Sequence, residues 1–229
     1  MDQKEKIGIR LVMKSISFLL FFIVLTFVTA GRLDYWQGWT FNGLNALFLL
    51  ITYIALRDRK DLIRERLKPG KGIKKWDKCY SLVSAPIYLV MFIVSVLDAA
   101  RFSWPPTVPV TVIVLGGVVY SIGQVLLLWA KRANRFFSSV VRIQADRQQT
   151  VCRDGPYRFV RHPGYAGGLI YTLATPVLLG SYWGLIPAVL TIGPLVIRAH
   201  LEDKTLHEEL DGYAAYAREV PFRLIPRIW

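Results

Sequence analysis

The residues best suited to chemistry lie in two short passages. The first is Gly155-Pro156-Tyr157-Arg158-Phe159-Val160-Arg161-His162-Pro163-Gly164-Tyr165, a polar run inside a chain that is 53% hydrophobic. A residue before proline is pushed out of the α region, and proline suits the first position of a helix. The sequence therefore predicts a helix that begins at Pro163, with Arg161 and His162 at its mouth. Free backbone N–H groups and the positive end of the helix dipole gather there and favour an anionic ligand. The second passage is Ile197-Arg198-Ala199-His200-Leu201-Glu202-Asp203. Arg198 and Glu202 are four apart, on one helical face. A salt bridge with a snorkelling arginine is the plain explanation. Yet Arg before Glu is the weaker order for a helix pair, and ionisable residues at the end of a membrane span are functional candidates.

The elements that must position these residues are membrane helices. The 229 residues carry their apolar side chains in long runs, which predicts an all-α integral membrane protein. Six spans of roughly bilayer length are expected, at 12–30, 38–56, 81–97, 107–130, 164–180 and 182–199. The last two are separated only around Ser181 and read as a tight helical hairpin. Of 29 Lys and Arg, all but Arg32 and Arg101 fall in 1–14, 57–78, 131–161 and 198–227. The positive-inside rule then places both termini and the two long loops in the cytoplasm. This bias, with anionic lipid at the inner surface, accounts for the net charge of +13. A nucleic-acid partner would need a basic patch on a reading element, and none is expected here.

The start of the chain, basic and then apolar to Ala30, has the outline of a signal peptide, but it reads better as an uncleaved first span. Within the 57–78 loop, RDRKDLIRERL can form an amphipathic surface helix with Leu62, Ile63 and Leu67 inward, ended by Pro69-Gly70. Gly116, Gly117 and Gly123 mark close helix packing, and Gln124 is expected to bond another helix. Leu206, Leu210, Tyr213 and Ala217 form the stripe of a cytoplasmic amphipathic helix, in which Tyr213 and Tyr216 are expected as interface anchors. The apolar tail 222–229 is expected to lie back on the membrane or over a pocket. Cys79 and Cys152 read as free cytoplasmic thiols with no metal-binding spacing. The organisation that follows is residues 1–133 as membrane spans and 134–229 as the reactive region.

Gly155-Pro156-Tyr157, Arg161-His162-Pro163-Gly164-Tyr165, Arg198-x-x-x-Glu202-Asp203, Gly212-Tyr213-x-x-Tyr216 and a closing Leu-Ile-Pro, in that order, together resemble the membrane methyltransferase superfamily of isoprenylcysteine carboxyl methyltransferases and phospholipid methyltransferases. The resemblance covers roughly 134–229. It implies S-adenosylmethionine as donor, bound on the cytoplasmic side by Gln149, Thr150, Val151, Cys152, Tyr157, Arg161, His162, Pro163, Gly164 and Glu202. It implies that Arg198 contacts the acceptor, and it makes Arg198 and Glu202 the catalytic pair. Gln149 departs from the histidine common at that position in the isoprenylcysteine enzymes. The chain has no glycine fingerprint of a dinucleotide fold, which agrees with the resemblance.

The implied activity is methyl transfer to a lipophilic acceptor, with isoprenylcysteine carboxyl O-methylation preferred. A carboxylate acceptor needs only orientation by Arg198, whereas an amine needs a base, for which Glu202 or His162 would serve. Phospholipid or amine N-methylation is one alternative. An NADPH-dependent sterol-type reductase, which shares a similar Arg-x-x-His-Pro hairpin, and a non-enzymatic membrane scaffold are others.

Overall fold

The computed structural model describes residues 3–229, with side chains from Val12 onward. Among the described residues the chain is helical, with no strand. The elements are α1 Gln3–Ala30, α2 Trp36–Leu56, α3 Lys60–Leu67, α4 Lys75–Val96 with a π-helical turn Leu97–Phe102, α5 Val110–Ala133, α6 Pro163–Leu178, α7 Leu185–Leu190, α8 Ile192–Glu209 and α9 Tyr213–Glu219. Five stretches are long and apolar enough to cross a membrane: Val12–Ala30, Trp36–Leu56, Lys75–Phe102, Val110–Ala133 and Leu185–Glu209. Their outward faces carry Phe21, Val28, Leu50, Ile54, Val114 and Val125, all exposed. Such a continuous apolar surface is what hydrocarbon tails accept and water does not. The chain is thus a multi-pass membrane protein.

α6 has 16 residues, or about 24 Å of helix, and falls short of the lengths above. It is embedded in protein, antiparallel to α5. A Cβ on Gly116 would lie 2.8 Å from the Leu178 nitrogen, one on Gly123 2.6 Å from the Tyr171 nitrogen, and one on Gly167 2.7 Å from the Gly123 carbonyl oxygen. Glycine at these three levels lets the two backbones touch, as membrane helices do where dispersion must replace the hydrophobic effect. Gln124 donates to the Tyr120 hydroxyl, which donates to Asn45 of α2, so the expected interhelical bond runs through a tyrosine.

One core unites α1, α2, α4, α5 and α6 through Phe27, Phe41, Phe92, Tyr120 and Leu178. At one end of the bundle Tyr35 donates to the Leu179 carbonyl and Ser181 to Asp98. These bonds fasten the α6–α7 turn to α2 and to the π turn. At the other end α3, the loop 134–162, α9 and the tail are assembled by ion pairs. Arg142, buried, lies bidentate on Glu65 of α3 and also reaches Asp146. The Arg142 hydrogen bonds hold the Glu65 carboxyl below its ordinary pKa. Leu62 of α3 is fully buried within the protein, while Ile63 and Leu67, expected inward with it, are half-buried.

Candidate functional site

Pro163 opens α6 as expected, and His162 before it is non-helical. The turn is held from outside the helix. The Arg161 and His162 N–H groups donate to the carbonyls of Phe222 and Arg223, so the tail pairs with the turn. Tyr165 N–H is taken by the His162 carbonyl, and proline has no N–H. Gly164 N–H has no backbone acceptor among the described residues. A side chain there would meet the Phe137 ring at 2.6 Å, so glycine is needed for the close approach.

Asp203 is the anchor of this end. It is buried and accepts from Arg161 Nε and Nη2 at 2.8 and 3.0 Å, from Tyr213 Oη at 2.8 Å and from Arg223 Nε at 2.9 Å. His162 Nε2 lies 3.2 Å from the same carboxylate. A carboxylate only accepts, so the neutral ring carries its proton on Nε2, and Nδ1 points towards Glu202 at 4.0 Å. Arg161 spends its remaining nitrogen on the carbonyls of Val220 and Pro221. Burial opposes the Arg161 charge, but Asp203 raises its pKa above the ordinary value. The sequence offered Arg161 as a charge for an anionic ligand; here its guanidinium is committed to the protein. Tyr213 and Tyr216, expected as interface anchors, are buried instead, bonded to Asp203 and to the Tyr157 carbonyl.

Glu202 accepts from the Tyr165 hydroxyl. Arg198 does not pair with it. Its Nε donates to Asp77 of α4 at 2.8 Å and its Nη2 to the Ser139 carbonyl at 3.1 Å. The guanidinium lies over the rings of Tyr80 and Tyr165. Nη1 is the nitrogen left for a ligand. Asp77 also accepts from Val141 N–H, so one buried carboxylate sets both the arginine and the loop that faces it.

The loop before α6 is built by its own polar groups. The Gln149 side-chain oxygen accepts from Gln144 N–H at 2.7 Å, and Gln144 donates to the Phe136 carbonyl. Gln149 therefore shapes the loop with the half of its amide that accepts. Val151 packs with Leu206, Leu210 and Tyr216. Burial raises the Cys152 thiol pKa, so it stays protonated near neutrality. Asn134 donates to the Tyr157 hydroxyl, a contact the sequence did not single out.

These groups enclose a cavity of about 410 Å³, within the range of small-molecule sites. Gln149, Thr150, Val151, Cys152, Tyr157, Arg161, His162, Gly164, Arg198 and Glu202 all line it. Pro163, the first residue of α6, is not among the lining residues. Arg66, Tyr80, Tyr88, Leu127 and Lys131 line it as well, so residues before 134 contribute to its wall. Sequence reasoning missed Asp77, Asn134, Tyr165, Arg66 and Lys131 as site residues. Arg66 and Lys131 were hidden because a basic loop is already explained by membrane orientation.

Residues 112–208 match the isoprenylcysteine carboxyl methyltransferase (ICMT) family. The chain is 25% identical over 216 residues to a protein-S-isoprenylcysteine O-methyltransferase of Schizosaccharomyces pombe, covering 90% of this chain and 79% of that one. It is 41% identical over 66 residues to a probable protein-S-isoprenylcysteine O-methyltransferase of Oryza sativa subsp. indica, covering 28% of this chain and 35% of the rice protein. It is 40% identical over 72 residues to a methanethiol S-methyltransferase from a Pseudomonas strain, covering 31% and 26% respectively. The matches favour neither the N-methyltransferase nor the reductase alternative.

Proposed function

We propose that this chain, a member of the isoprenylcysteine carboxyl methyltransferase superfamily, methylates the C-terminal carboxylate of S-isoprenylated cysteine with S-adenosylmethionine as donor. One observation carries the reading: the Arg161-His162-Pro163 turn, the 149–152 loop, Arg198 and Glu202 all face one cavity at the end of the bundle. The fit to the donor is supported by the bare Gly164 backbone against Phe137 and by the Glu202 carboxylate.

When bound, the donor supplies a methyl group on a sulfonium sulfur, already activated for displacement. The protein then has to align and to exclude water. Glu202, steadied by Tyr165, accepts from the donor's amino or ribose groups. Arg198 presents Nη1 to the acceptor carboxylate, with its orientation set by Asp77. A carboxylate oxygen needs no base: it attacks the methyl carbon, the carbon–sulfur bond breaks, and the electron pair stays on sulfur. His162 keeps its proton on Nε2 towards Asp203 and supports the turn. Arg161 is a positioning residue, tying α6 to α8 and the tail.

The finer topology belongs to this proposal. α6 faces α5 from Gly116 opposite Leu178 to Ala130 near Gly164, so it travels most of the depth that α5 spans. Its return through α7 and α8 brings Glu202 back to Tyr165. We therefore count six crossings, with the last two a hairpin, and place both termini and the cavity on the cytoplasmic side. Residues 134–229 act as the catalytic region, completed by Arg66, Asp77 and Tyr80.

The test is calorimetric binding of S-adenosylmethionine and S-adenosylhomocysteine to detergent-purified protein, followed by methyl transfer to N-acetyl-S-farnesylcysteine. Micromolar donor binding that Glu202→Ala weakens at least tenfold supports the reading. Well-folded protein that binds neither nucleoside refutes it.

A further inference from the structure

Not every cation that lines the cavity has an ion-pair partner. Arg142 is paired with Glu65 and Asp146, Arg161 with Asp203, and Arg198 with Asp77. Arg66 of α3 and Lys131 at the end of α5 also line it. Neither has a carboxylate partner among the described residues. Arg66 Nη1 is buried with no hydrogen-bond acceptor, while its guanidinium lies over the Phe137 ring, 5.6 Å from the centroid. Burial alone lowers its pKa. The two cations share the wall of one cavity.

Two half-buried cations on one cavity wall without a counter-ion are costly, and an unpaired buried donor adds to the cost. Both are removed by an anion that enters the cavity. The same floor carries Asn134 and the Gly164 backbone beside Phe137, which offer neutral donors at the same end. Arg161, the cation that sequence reasoning offered to an anionic ligand, is already committed to Asp203 and two carbonyls. The free positive charge in this cavity therefore comes from Arg66 and Lys131.

We propose that Arg66 and Lys131 together bind a ligand carboxylate. This rests on the methyltransferase reading and deepens it. That reaction brings two carboxylates to the cavity, one on the amino-acid end of the donor and one on the acceptor. An arginine fork beside a lysine point charge suits either. Arg66 lies outside the matched stretch 112–208, so the α3 loop supplies a ligand contact as well as a membrane-facing charge.

The experiment uses the full chain in detergent with Arg66→Gln, Lys131→Gln and the charge-keeping Arg66→Lys. Binding is measured for S-adenosylhomocysteine against 5′-methylthioadenosine, which lacks the carboxylate, and for N-acetyl-S-farnesylcysteine against its carboxamide. The expected result is a loss of roughly tenfold or more for one carboxylate-bearing ligand in each Gln variant. Its neutral counterpart should bind as to wild type, and Arg66→Lys should keep most of the affinity. Loss confined to the first pair assigns the donor carboxylate, and loss confined to the second the acceptor's. Unchanged affinity for both carboxylates overturns the proposal. So does equal weakening of charged and neutral ligands, which would make the residues mere wall. If Arg66→Gln does not fold, Lys131→Gln decides on the same ratios. Wild-type protein that binds neither nucleoside nor farnesylcysteine rejects the methyltransferase reading, and this inference falls with it.

Discussion

Asp203 and Glu202 are adjacent in the chain and differ in what surrounds them. Asp203 is buried under Arg161, Tyr213, Arg223 and His162. Glu202, about a quarter exposed, accepts from the Tyr165 hydroxyl and has His162 Nδ1 4.0 Å away. Asp203→Asn removes the charge that compensates a buried guanidinium, a change that costs about 3–5 kcal/mol. Thermal unfolding in detergent should then fall by roughly 10 °C, at about 2–4 °C per kcal/mol for a chain of this size. Glu202→Gln keeps an oxygen for Tyr165 and should move the midpoint by no more than about 3 °C, while donor binding drops at least tenfold. Equal destabilisation by the two changes would show that Glu202 is structural too. Arg198 allows a similar separation. Asp77→Asn leaves the guanidinium in place but unanchored, so the acceptor KM should rise several-fold with donor affinity unchanged. His162, Arg198 and Glu202 were legible because they sit in two compact motifs. Asp77 was not, since it lies 121 residues from its partner Arg198 and looks like one more charge in a basic loop.

At the scale of elements, the site depends on how closely α6 approaches α5. Gly167→Ala puts a methyl group 2.7 Å from the Gly123 carbonyl oxygen, and overpacking of this kind costs about 1–3 kcal/mol. Gly193→Ala, with nothing within 4 Å, should be neutral or slightly stabilising because alanine is the better helix former. Lower thermal stability and lower turnover in the first variant but not the second would confirm that the α5–α6 contact holds the Pro163 turn. The α3 contact adds a pH dependence. Folded Glu65 has a pKa below its ordinary 4.5, chiefly through the Arg142 hydrogen bonds. Its contribution is thus complete above about pH 4.5 and is lost as pH falls through the lowered value. The stability difference between wild type and Glu65→Gln should be constant near neutrality and shrink in acid. A difference that grows in acid would contradict the pairing. Helix positions were readable from hydropathy and glycine. The ion pairs that fold α3 onto the loop were not, because a run of alternating charges does not say which carboxylate meets which arginine.

For the whole molecule, the arrangement hinges on whether α6 crosses. Hydropathy sees a 16-residue helix below the usual ~20 residues of a span. It cannot see that the helix faces protein rather than lipid, where backbone and polar groups are already satisfied. The distribution of basic residues is the stronger guide: only Arg32 and Arg101 lie outside the segments read as cytoplasmic. Six crossings put the α1–α2 turn and the α6–α7 turn on one side. The 68–74 loop and the tail then lie on the other. Single cysteines at the exposed positions Asp34, Trp183, Lys71 and Arg227, in a background with Cys79→Ser and Cys152→Ser, test this with a membrane-impermeant maleimide. In right-side-out vesicles Asp34→Cys and Trp183→Cys should react. Lys71→Cys and Arg227→Cys should react only in inverted ones. If Trp183→Cys instead labels with Lys71→Cys, α6 is re-entrant and the hairpin is lost. An acceptor could then no longer reach Arg198 from the lipid between two crossing helices. Labelling as expected would leave the cavity on the side where the basic loops lie, with its apolar acceptor supplied by the membrane and its soluble donor by the cytoplasm.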